Sequence, residues 1–546
     1  MKIALIQTNP LIGDFAGNVR GLTESLIKAQ QAQCSLAIFP ELALCGYPPQ
    51  DLLERPTFLE AHDRALNELL AFSKTVKELT CVVGGIGRAS GTGKALYNTA
   101  FVLQGGDILA QAHKRLLPNY DVFDEPRHFA SGQEAATFVC GQLYCALTVC
   151  EDIWWQEREY GRNPIEDFTL GAIVPDLLIN LSASPYHLGK LQKRYQVFSR
   201  VCTTYNLPLL YVNQAGGNDS LVFDGHSLAM DSKGSVHAMA KGFCEDLLVV
   251  DFPPQPAAAT LPPPQESIAD LADALVCGLR DYVHKTGFQQ VTLGLSGGID
   301  SALTAALACE ALGAENVFGV ALPSPYTSQQ SIDDARQLAL NLGCNFECIP
   351  IQTAMDAYTQ TLAPLFAGMP EDVTEQNIQA RIRGNLLMAL ANKFNRLLLS
   401  TGNKSELAVG YCTLYGDMCG ALAVLADVFK TQAYALADWV NREGEIIPRN
   451  TIVRPPTAEL KPGQLDQDDL PPYAILDRIL RAYLEQARSI EAIANCVQVE
   501  PALVRDIARR VRLNEHKRVQ APLGIRVSEK AFGMGRRFPV VQGFRE

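Results

Sequence analysis

The sequence has no long apolar run, no C-x-x-C cysteine pair and no excess of positive charge. No stretch of about 18 apolar residues occurs, so we expect no membrane-spanning helix. The apolar start, Met1 to Pro10, is too short for a secretory signal and is typical of a strand. The net charge of -12 and the pI near 5.3 argue against nucleic acid or an anionic membrane as the main partner.

The cysteines carry information through their spacing. There are 15 of them, an odd number, and no two form a C-x-x-C pair, which argues against a structural zinc site. They are scattered through apolar segments, and no secretory signal precedes them. These features indicate reduced thiols and a cytoplasmic protein.

The length of 546 residues is too great for one hydrophobic core and predicts two or three domains. One segment, Phe252-Pro-Pro-Gln-Pro-Ala-Ala-Ala-Thr-Leu-Pro-Pro-Pro264, can form neither a helix nor a central strand. Such a composition is typical of a semi-rigid linker. We therefore predict one domain over residues 1–252 and a second over 266–546, joined by a Pro-rich linker over 253–265.

The first domain alternates apolar strand patterns with helical ones. Helices are predicted over 56–78 and 189–205, and hairpins at 104–107 and 231–234, where turn residues separate two apolar runs. The glycine-rich stretch Gly84 to Lys94 fits no phosphate-binding motif in register and is interpreted as a strand end and a loop. This balance predicts a sheet-rich α/β sandwich. Its predicted strands are Ile3–Gln7, Leu36–Phe39, Cys81–Ile86, Thr99–Leu103, Leu143–Cys150, Leu177–Leu181 and Leu209–Asn213.

The second domain begins with a helix and continues as a βαβαβ series, which predicts a parallel sheet. The predicted elements are strand 291–295, helix 301–312, strand 317–322, helix 329–342, strand 346–351, helix 376–394 and strand Arg396–Ser400. Beyond them the chain is rich in Arg and Lys.

A glycine loop, Ser296-Gly-Gly-Ile-Asp-Ser301, connects the first strand of this series to its helix. Glycines allow a close backbone approach to a ligand, and the N–H groups of a helix start favour an anion. The loop is therefore a candidate phosphate cradle. No Lys follows the glycines, which separates it from G-x-x-x-x-G-K-[ST] loops and suits release of pyrophosphate.

In the first domain, three polar residues follow or end apolar strands. Glu41 in Ile38-Phe-Pro-Glu-Leu42 is a candidate general base or a surface ion-pair partner. Lys114 in His113-Lys-Arg-Leu-Leu-Pro-Asn-Tyr120 is a candidate oxyanion stabiliser or a solvated lysine. Cys150 in Cys150-Glu-Asp-Ile-Trp154 is a candidate nucleophile or a small buried side chain.

Together, in this order and spacing, the three segments resemble the nitrilase superfamily over most of residues 1–250. The resemblance implies an αββα sandwich in which Glu41 is the general base, Lys114 stabilises the oxyanion and Cys150 forms a covalent acyl intermediate. It also implies supporting or glutamine-binding roles for a further set: Tyr120, Glu125, Ser184 and Lys190.

The glycine loop resembles the PP-loop of ATP pyrophosphatases, an α/β fold with a parallel sheet of the adenine nucleotide alpha hydrolase-like type. Four later blocks, which begin at Glu375, Leu397, Thr413 and Phe429, resemble the NAD synthetase family, and the likeness covers nearly all of 290–520. It implies that ATP binds at Gly294, Leu295, Ser296, Gly297, Gly298, Ile299, Asp300, Ser301, Thr401 and Lys430. It implies that deamido-NAD binds at Asn377, Arg381, Glu406, Asp417, His516 and Lys517, and that Asp300 and Glu406 bind Mg²⁺.

The two resemblances imply one reaction. A carboxylate on deamido-NAD is adenylated with ATP, and ammonia from glutamine displaces AMP. The resemblance also implies a shielded path for ammonia and a homo-oligomer. Two alternatives stay open: another glutamine-dependent PP-loop amidotransferase, or an amidase joined to a nucleotide-sensing module or scaffold. The residues around Arg381 to Asp417 argue against the first, and the intact Asp300 and Glu406 argue against the sensing module.

Overall fold

The structure is a computed structural model that describes residues 1–89, 93–158, 160–169, 173–253, 260–263, 267–544 and 546. The chain divides into two compact units, Met1–Glu266 and Ser267–Glu546. The predicted linker over 253–265 lies mostly outside the described residues, so its boundaries stay a prediction. Within the described ranges, no helix has the length and apolarity needed to cross a membrane.

The first unit contains two six-stranded sheets and a small hairpin. Its strands are β1 (Lys2–Gln7), β2 (Leu36–Ile38), β3 (Thr80–Arg88), β4 (Leu96–Gln104), β5 (Asp107–His113), β6 (Ala136–Cys140), β7 (Leu143–Val149), β8 (Leu177–Ser182), β9 (Leu209–Asn213), β10 (Ala215–Asn218), β11 (Leu221–Asp224), β12 (Leu228–Met230), β13 (Val236–Met239) and β14 (Asp246–Asp251). Its α-helices are α1 (Phe15–Gln31), α2 (Pro56–Ser73), α3 (Glu166–Thr169) and α4 (Lys190–Tyr205).

The two large sheets pack face to face. The first has the order β14-β1-β2-β3-β4-β5 and the second β13-β12-β9-β8-β7-β6. Each has three parallel central strands, β1–β2–β3 and β7–β8–β9, flanked by antiparallel ones. Apolar side chains from both sheets, among them Leu5, Ile38, Leu147 and Ile179, form one core. Helices α1 and α2 cover the outer face of the first sheet and α4 that of the second, which confirms the predicted αββα sandwich.

The predicted strands and both predicted hairpins of this unit are confirmed, with differences at element ends. The helix predicted over 56–78 ends at Ser73. The Ser73 hydroxyl donates to the carbonyl of Leu70 (2.7 Å) and accepts from the amide of Gly106 (2.9 Å). These bonds hold the helix end against the β4–β5 turn, a tertiary contact that the sequence does not display.

Gly84 shows why the glycine-rich stretch belongs to a strand. The prediction ended the strand at Ile86, but β3 continues to Arg88; residues 90–92 lie outside the described residues. A Cβ on Gly84 would collide with the backbone of Pro40 and Leu42. The glycine therefore lets the segment that carries Glu41 lie directly against β3.

His62 on α2 is a buried side chain whose Nε2 accepts a hydrogen bond from the amide of Ile86 (2.8 Å). Burial lowers the pKa of His62 to about 4, against the opposing effect of Asp63. The imidazole is therefore neutral in the folded protein at neutral pH, and protonation breaks the contact with β3.

Acidification is expected to destabilise the first unit through His62. The folded pKa lies below the usual His value of about 6.5, so the stabilisation is present above pH 6.5 and is lost toward pH 4. The loss by pH 5 is about 2 kcal/mol. His62→Gln keeps an acceptor for Ile86 without titrating, and should flatten the pH dependence of the first unit's unfolding midpoint. His284→Gln, at an exposed site, serves as control; an equally steep curve in the His62 variant contradicts the assignment.

The second unit is built on a single parallel sheet. Its strands are β15 (Val291–Gly294), β16 (Val317–Ala321), β17 (Asn345–Cys348), β18 (Leu397–Ser400), β19 (Leu422–Ala423) and β20 (Leu523–Gly524). Its α-helices are α5 (Ile268–Lys285), α6 (Ile299–Leu312), α7 (Gln329–Leu342), α8 (Gln352–Phe366), α9 (Val373–Phe394), α10 (Lys404–Val409), α11 (Lys430–Val440), α12 (Arg449–Val453), α13 (Tyr473–Leu484), α14 (Ile490–Val497), α15 (Pro501–Leu513) and α16 (Glu515–Arg518).

The strand order is β17-β16-β15-β18-β19-β20, and every pair is parallel. The predicted βαβαβ series and its parallel sheet are confirmed. The glycine loop lies between β15 and α6, at the carboxyl end of a central strand, where open α/β sheets bind ligands. Helices α13 to α15, which the sequence reading did not resolve, form a separate apolar cluster that includes Leu476, Ile493 and Val504.

Candidate active sites of the two units

In the first unit, the structure brings Glu41, Lys114 and Cys150 to one end of the sandwich. Glu41 follows β2 and Lys114 follows β5, both in the first sheet, whereas Cys150 follows β7 in the second. All three side chains are buried. The three residues therefore meet across two sheets whose hydrogen-bond ladders are separate.

Lys114 joins two carboxylates. Its Nζ donates to Glu41 Oε1 (2.8 Å) and to Glu125 Oε1 (2.6 Å). Burial by itself lowers the pKa of Lys114, but Glu125 and Glu41 outweigh burial and raise it. The ammonium is therefore charged. Glu41 Oε2 also accepts from the amide of Ala183 (2.8 Å), so its carboxylate spans both sheets.

The Cys150 thiol lies in the field of these groups. Burial raises its pKa, the Glu41 carboxylate raises it further and Lys114 lowers it. The thiol is thus protonated at rest, and a neighbouring base must remove its proton before it can act as a nucleophile. Cys150 has a φ of +43°, a left-handed conformation that costs a non-glycine residue about 1–3 kcal/mol. The backbone therefore turns sharply at the strand end that carries the thiol.

The residues predicted to contact glutamine surround this cluster. Tyr120 donates from its hydroxyl to Glu151 Oε1 (2.9 Å), and Tyr160 donates to the same oxygen (2.8 Å). The amide of Ser184 donates to Asn213 Oδ1 (2.9 Å), and Lys190 Nζ lies 4.0 Å from the Trp154 ring centroid. Glu151, which the sequence reading did not select, is a buried carboxylate directly after Cys150.

In the second unit, the glycine loop lines a cavity of about 300 Å³. Gly297 has a φ of +78°, and a Cβ there would collide with the backbone of Ser331, so the turn requires glycine. The cavity is nucleotide-sized and joins the loop to the ends of β16 and β18. Predicted site residues that line it are Gly294, Leu295, Ser296, Gly298, Ile299, Asp300, Ser301, Thr401, Glu406, Asp417 and Lys430.

Acidic residues dominate one side of this cavity. Lys430 Nζ bonds Asp300 Oδ2 and lies 3.2 Å from Glu406 Oε1. The pKa of Glu406 is raised to about 8. Burial makes the largest contribution, Lys430 opposes it, and Asp300 and Asp466 raise the pKa further. Lys430 bonds two of these acidic side chains, and the third, Asp466, also lines the cavity. Such a group of hard oxygen donors fits a divalent cation such as Mg²⁺.

Five predicted ligand residues lie outside the cavity lining: Gly297, Asn377, Arg381, His516 and Lys517. Asn377 accepts from the hydroxyl of Thr413 (2.8 Å), and Thr413 does line it. Lys517 donates to the carbonyls of Gly410 (2.8 Å) and Cys412 (2.7 Å). The roles of these five residues stay predictions.

Comparison with known proteins matches both units. Residues 2–260 match the carbon-nitrogen hydrolase family, and residues 271–521 match the NAD synthase family. A glutamine-dependent NAD(+) synthetase of Synechocystis sp. is 47% identical over 555 residues, covering 99% of this chain and 99% of the relative. That of Thermotoga maritima is 43% identical and covers 100% of this chain and 99% of its own. The chain belongs to the glutamine-dependent NAD(+) synthetase family.

A solved structure of this family agrees over the whole length. Glutamine-dependent NAD+ synthetase from Acinetobacter baumannii, in complex with adenosine diphosphate, is 39% identical, with a TM-score of 0.78. The match covers 99% of this chain and 98% of that one. The family resemblance of both halves is thereby confirmed.

Two side chains that support the candidate sites were not predicted from the sequence. Arg454, which also lines the cavity, donates to the carbonyl of Gly297 (3.1 Å) and to Ser331 Oγ (2.7 Å) and so holds the glycine loop in place. In the first unit, Asn98 Nδ2 donates to Glu41 Oε1 (2.6 Å). Asn98 could have been found from the sequence, because an Asn inside a buried apolar strand is unusual. No local pattern marks Arg454.

Proposed function

We propose that this chain converts deamido-NAD to NAD with ATP and glutamine, through a deamido-NAD adenylate, releasing AMP and pyrophosphate. One observation carries the proposal: a single chain of a glutamine-dependent NAD(+) synthetase family holds both a buried Glu–Lys–Cys cluster and a nucleotide-sized cavity beside a PP-loop motif. The first supplies ammonia and the second consumes it.

In the first unit, Glu41 takes the proton of the Cys150 thiol as the sulfur attacks the carboxamide carbon of glutamine. Lys114 and the amide of Glu151 stabilise the resulting oxyanion, and Glu41 returns the proton to the departing ammonia. Water then cleaves the glutamyl thioester to glutamate and the free thiol. The burial of the thiol and its closeness to Glu41 support this order of proton transfer.

The other first-unit residues hold the substrate and the lysine. Glu125 fixes the Lys114 amine with a 2.6 Å bond. Tyr120 and Glu151 form a polar wall that suits the ammonium group of glutamine. Ser184 and Lys190 are assigned to its carboxylate end. These assignments rest on position and charge.

In the second unit, the loop Gly294 to Ser301 cradles the ATP phosphates, assisted by Thr401 and Lys430. Glu406 and Asp417 face deamido-NAD, with Asn377, Arg381, His516 and Lys517 at the rim. The carboxylates of Asp300 and Glu406 would hold Mg²⁺. When bound, the ion neutralises phosphate charge and so favours pyrophosphate as leaving group. Lys430 holds the two carboxylates together.

One assay tests the function. Purified protein receives MgATP and deamido-NAD, with glutamine or ammonium, and NAD, AMP and pyrophosphate are measured. We expect all three products in equal amounts with either nitrogen source. Turnover of another carboxylated or oxo-nucleotide acceptor instead of deamido-NAD favours a different PP-loop amidotransferase. Glutamine hydrolysis without any pyrophosphate favours an amidase with a nucleotide-sensing module.

Gly84→Ala is expected to impair the glutamine route. The added methyl group pushes the Glu41 segment away from β3, which costs about 1–3 kcal/mol and misplaces the base. We expect a fall of about 10²-fold in glutamine hydrolysis, with ammonium-dependent NAD formation retained. Gly21→Ala, on the exposed face of α1 with open space around it, is the control and should be neutral or slightly stabilising. Unchanged glutamine hydrolysis in Gly84→Ala argues against this coupling.

We also infer a homo-oligomer that acts in the cytoplasm. Helix α8 has no buried residue, and Leu365 and Met369 at its end are 74% and 71% exposed. Such apolar exposure suits a contact with a second copy. The inferred cytoplasmic location has separate support: all 15 cysteines are free thiols, as expected in a reducing compartment. Light scattering at several concentrations tests the oligomer; a monomer throughout refutes it.

A further inference from the structure

The relative position of Lys114 and Cys150 needs an explanation beyond the sheets that carry them. Lys114 extends from β5 of the first sheet and Cys150 from β7 of the second. No backbone ladder connects these strands, so neither sheet fixes the distance between amine and thiol. Apolar packing between the sheets is non-directional, so the alignment of two particular side chains gains from a directional contact.

Asp152 supplies a directional link between the two strand ends. Its Oδ1 accepts from the amides of Arg115 and Leu116, each at 2.9 Å, directly after Lys114. Its Oδ2 accepts from the amide of Val149 at 3.0 Å, directly before Cys150. One carboxylate, 1% exposed, therefore holds both peptide segments at once.

The same carboxylate supports the backbone of the nucleophile. The bond from Val149 closes the turn Cys150–Ile153, in which Cys150 keeps its φ of +43°. A left-handed cysteine persists only where its surroundings hold it. The pKa of Asp152 is raised to about 6, because burial outweighs the opposing effect of its three amide donors. The carboxyl group is therefore anionic at neutral pH and can accept all three hydrogen bonds.

We propose that Asp152 is a positioning residue for the glutaminase reaction: it aligns the Lys114 amine with the Cys150 thiol by tying their flanking peptides together. The inference rests on the proposed function of the first unit and deepens it. Asp152 touches neither glutamine nor the reacting atoms. Its effect is on the geometry in which the oxyanion of the bound carboxamide meets the ammonium.

Asp152→Asn is the decisive variant. It keeps the size and two acceptor contacts but turns an amide donor toward the Val149 N–H. In the full-length protein we expect kcat for glutamine hydrolysis to fall about 10²-fold, KM for glutamine to change little, and ammonium-dependent NAD formation to persist. Alkylation of Cys150 by iodoacetamide, followed by mass spectrometry of its peptide, should slow in parallel. Asp231→Asn is the matched control, because Asp231 accepts two backbone amides (2.9 Å each) in a turn elsewhere in this unit.

Each outcome decides something. Equal loss of both nitrogen routes means that Asp152 only stabilises the fold. A raised KM for glutamine with intact kcat means that it shapes substrate binding. Either result overturns the proposal, and so does an unchanged kcat with an unchanged KM. If the Asn variant does not fold, Asp152→Ser, whose single oxygen reaches one segment but not both, repeats the test. If the wild type fails to hydrolyse glutamine, the proposed function fails, while the alkylation rates still report on the alignment.

Discussion

Cys150→Ala abolishes NAD formation from glutamine and leaves NAD formation from ammonium close to the wild-type rate: this is the expected result with the largest effect. In the proposed mechanism the thiol is the attacking atom of the first unit, and neither Glu41 nor Lys114 can form the thioester in its place. We expect a loss of about 10⁴-fold or more in glutamine hydrolysis. The cavity beside the glycine loop lies wholly within the second unit and does not contain this residue.

The matched control is Cys145→Ala. Cys145 lies in the same strand, β7, and is a fully buried thiol whose pKa burial raises to about 12. It should lose little activity with either nitrogen source. Initial rates of NAD formation with glutamine and with ammonium measure both variants. Equal loss with both sources in Cys150→Ala would remove the division of chemistry between the units.

Asp300→Ala stops NAD formation from either nitrogen source. Asp300 opens α6 at the glycine loop, bonds Lys430 and accepts from Asn403 Nδ2 (3.2 Å). Its removal deprives a divalent cation of one of two assigned carboxylates, and leaves Lys430 free to neutralise Glu406. We expect pyrophosphate release to fall about 10³-fold, because charge stabilisation of the leaving group is lost.

Pyrophosphate release by the isosteric Asp300→Asn variant should fall nearly as far. Such a result shows that the loss comes from the missing charge and not from altered packing. Asp333→Asn, an exposed carboxylate on α7, is the control and should behave as wild type. Thermal unfolding confirms that each variant is folded. Retained pyrophosphate release in Asp300→Ala, at saturating Mg²⁺ and ATP, contradicts the assignment of this carboxylate.

Much of the candidate chemistry was visible in contiguous residues. Glu41, Lys114 and Cys150 each end or follow an apolar strand, and the glycine loop follows β15 directly. Strand ends and turns are local properties, so periodicity and turn chemistry place them. The order of the motifs along the chain then identifies both halves of the family.

Other features depended on contacts between distant segments. Asp152 lies within the motif around Cys150, yet its bonds reach residues 115 and 116, and the sequence shows no sign of that pairing. Gly84 fell inside the predicted strand Cys81–Ile86, but the reason for a glycine there, the backbone of Pro40 to Leu42, lies in a distant part of the sequence. Helix α8, which has no buried residue and leaves Tyr358 and Leu365 exposed, was not predicted from the sequence.

The sequence by itself determined the two α/β units, the strand-end position of each reactive side chain and the family to which the chain belongs, because these follow from local patterns and ordered motifs. The tertiary structure alone decided that Lys114 meets both Glu41 and Glu125, that Asp152 ties two sheets together and that Lys430 lies between Asp300 and Glu406. Those arrangements arise when sheets stack and strands from separate parts of the chain align their ends, and no local pattern encodes distances across such a layer.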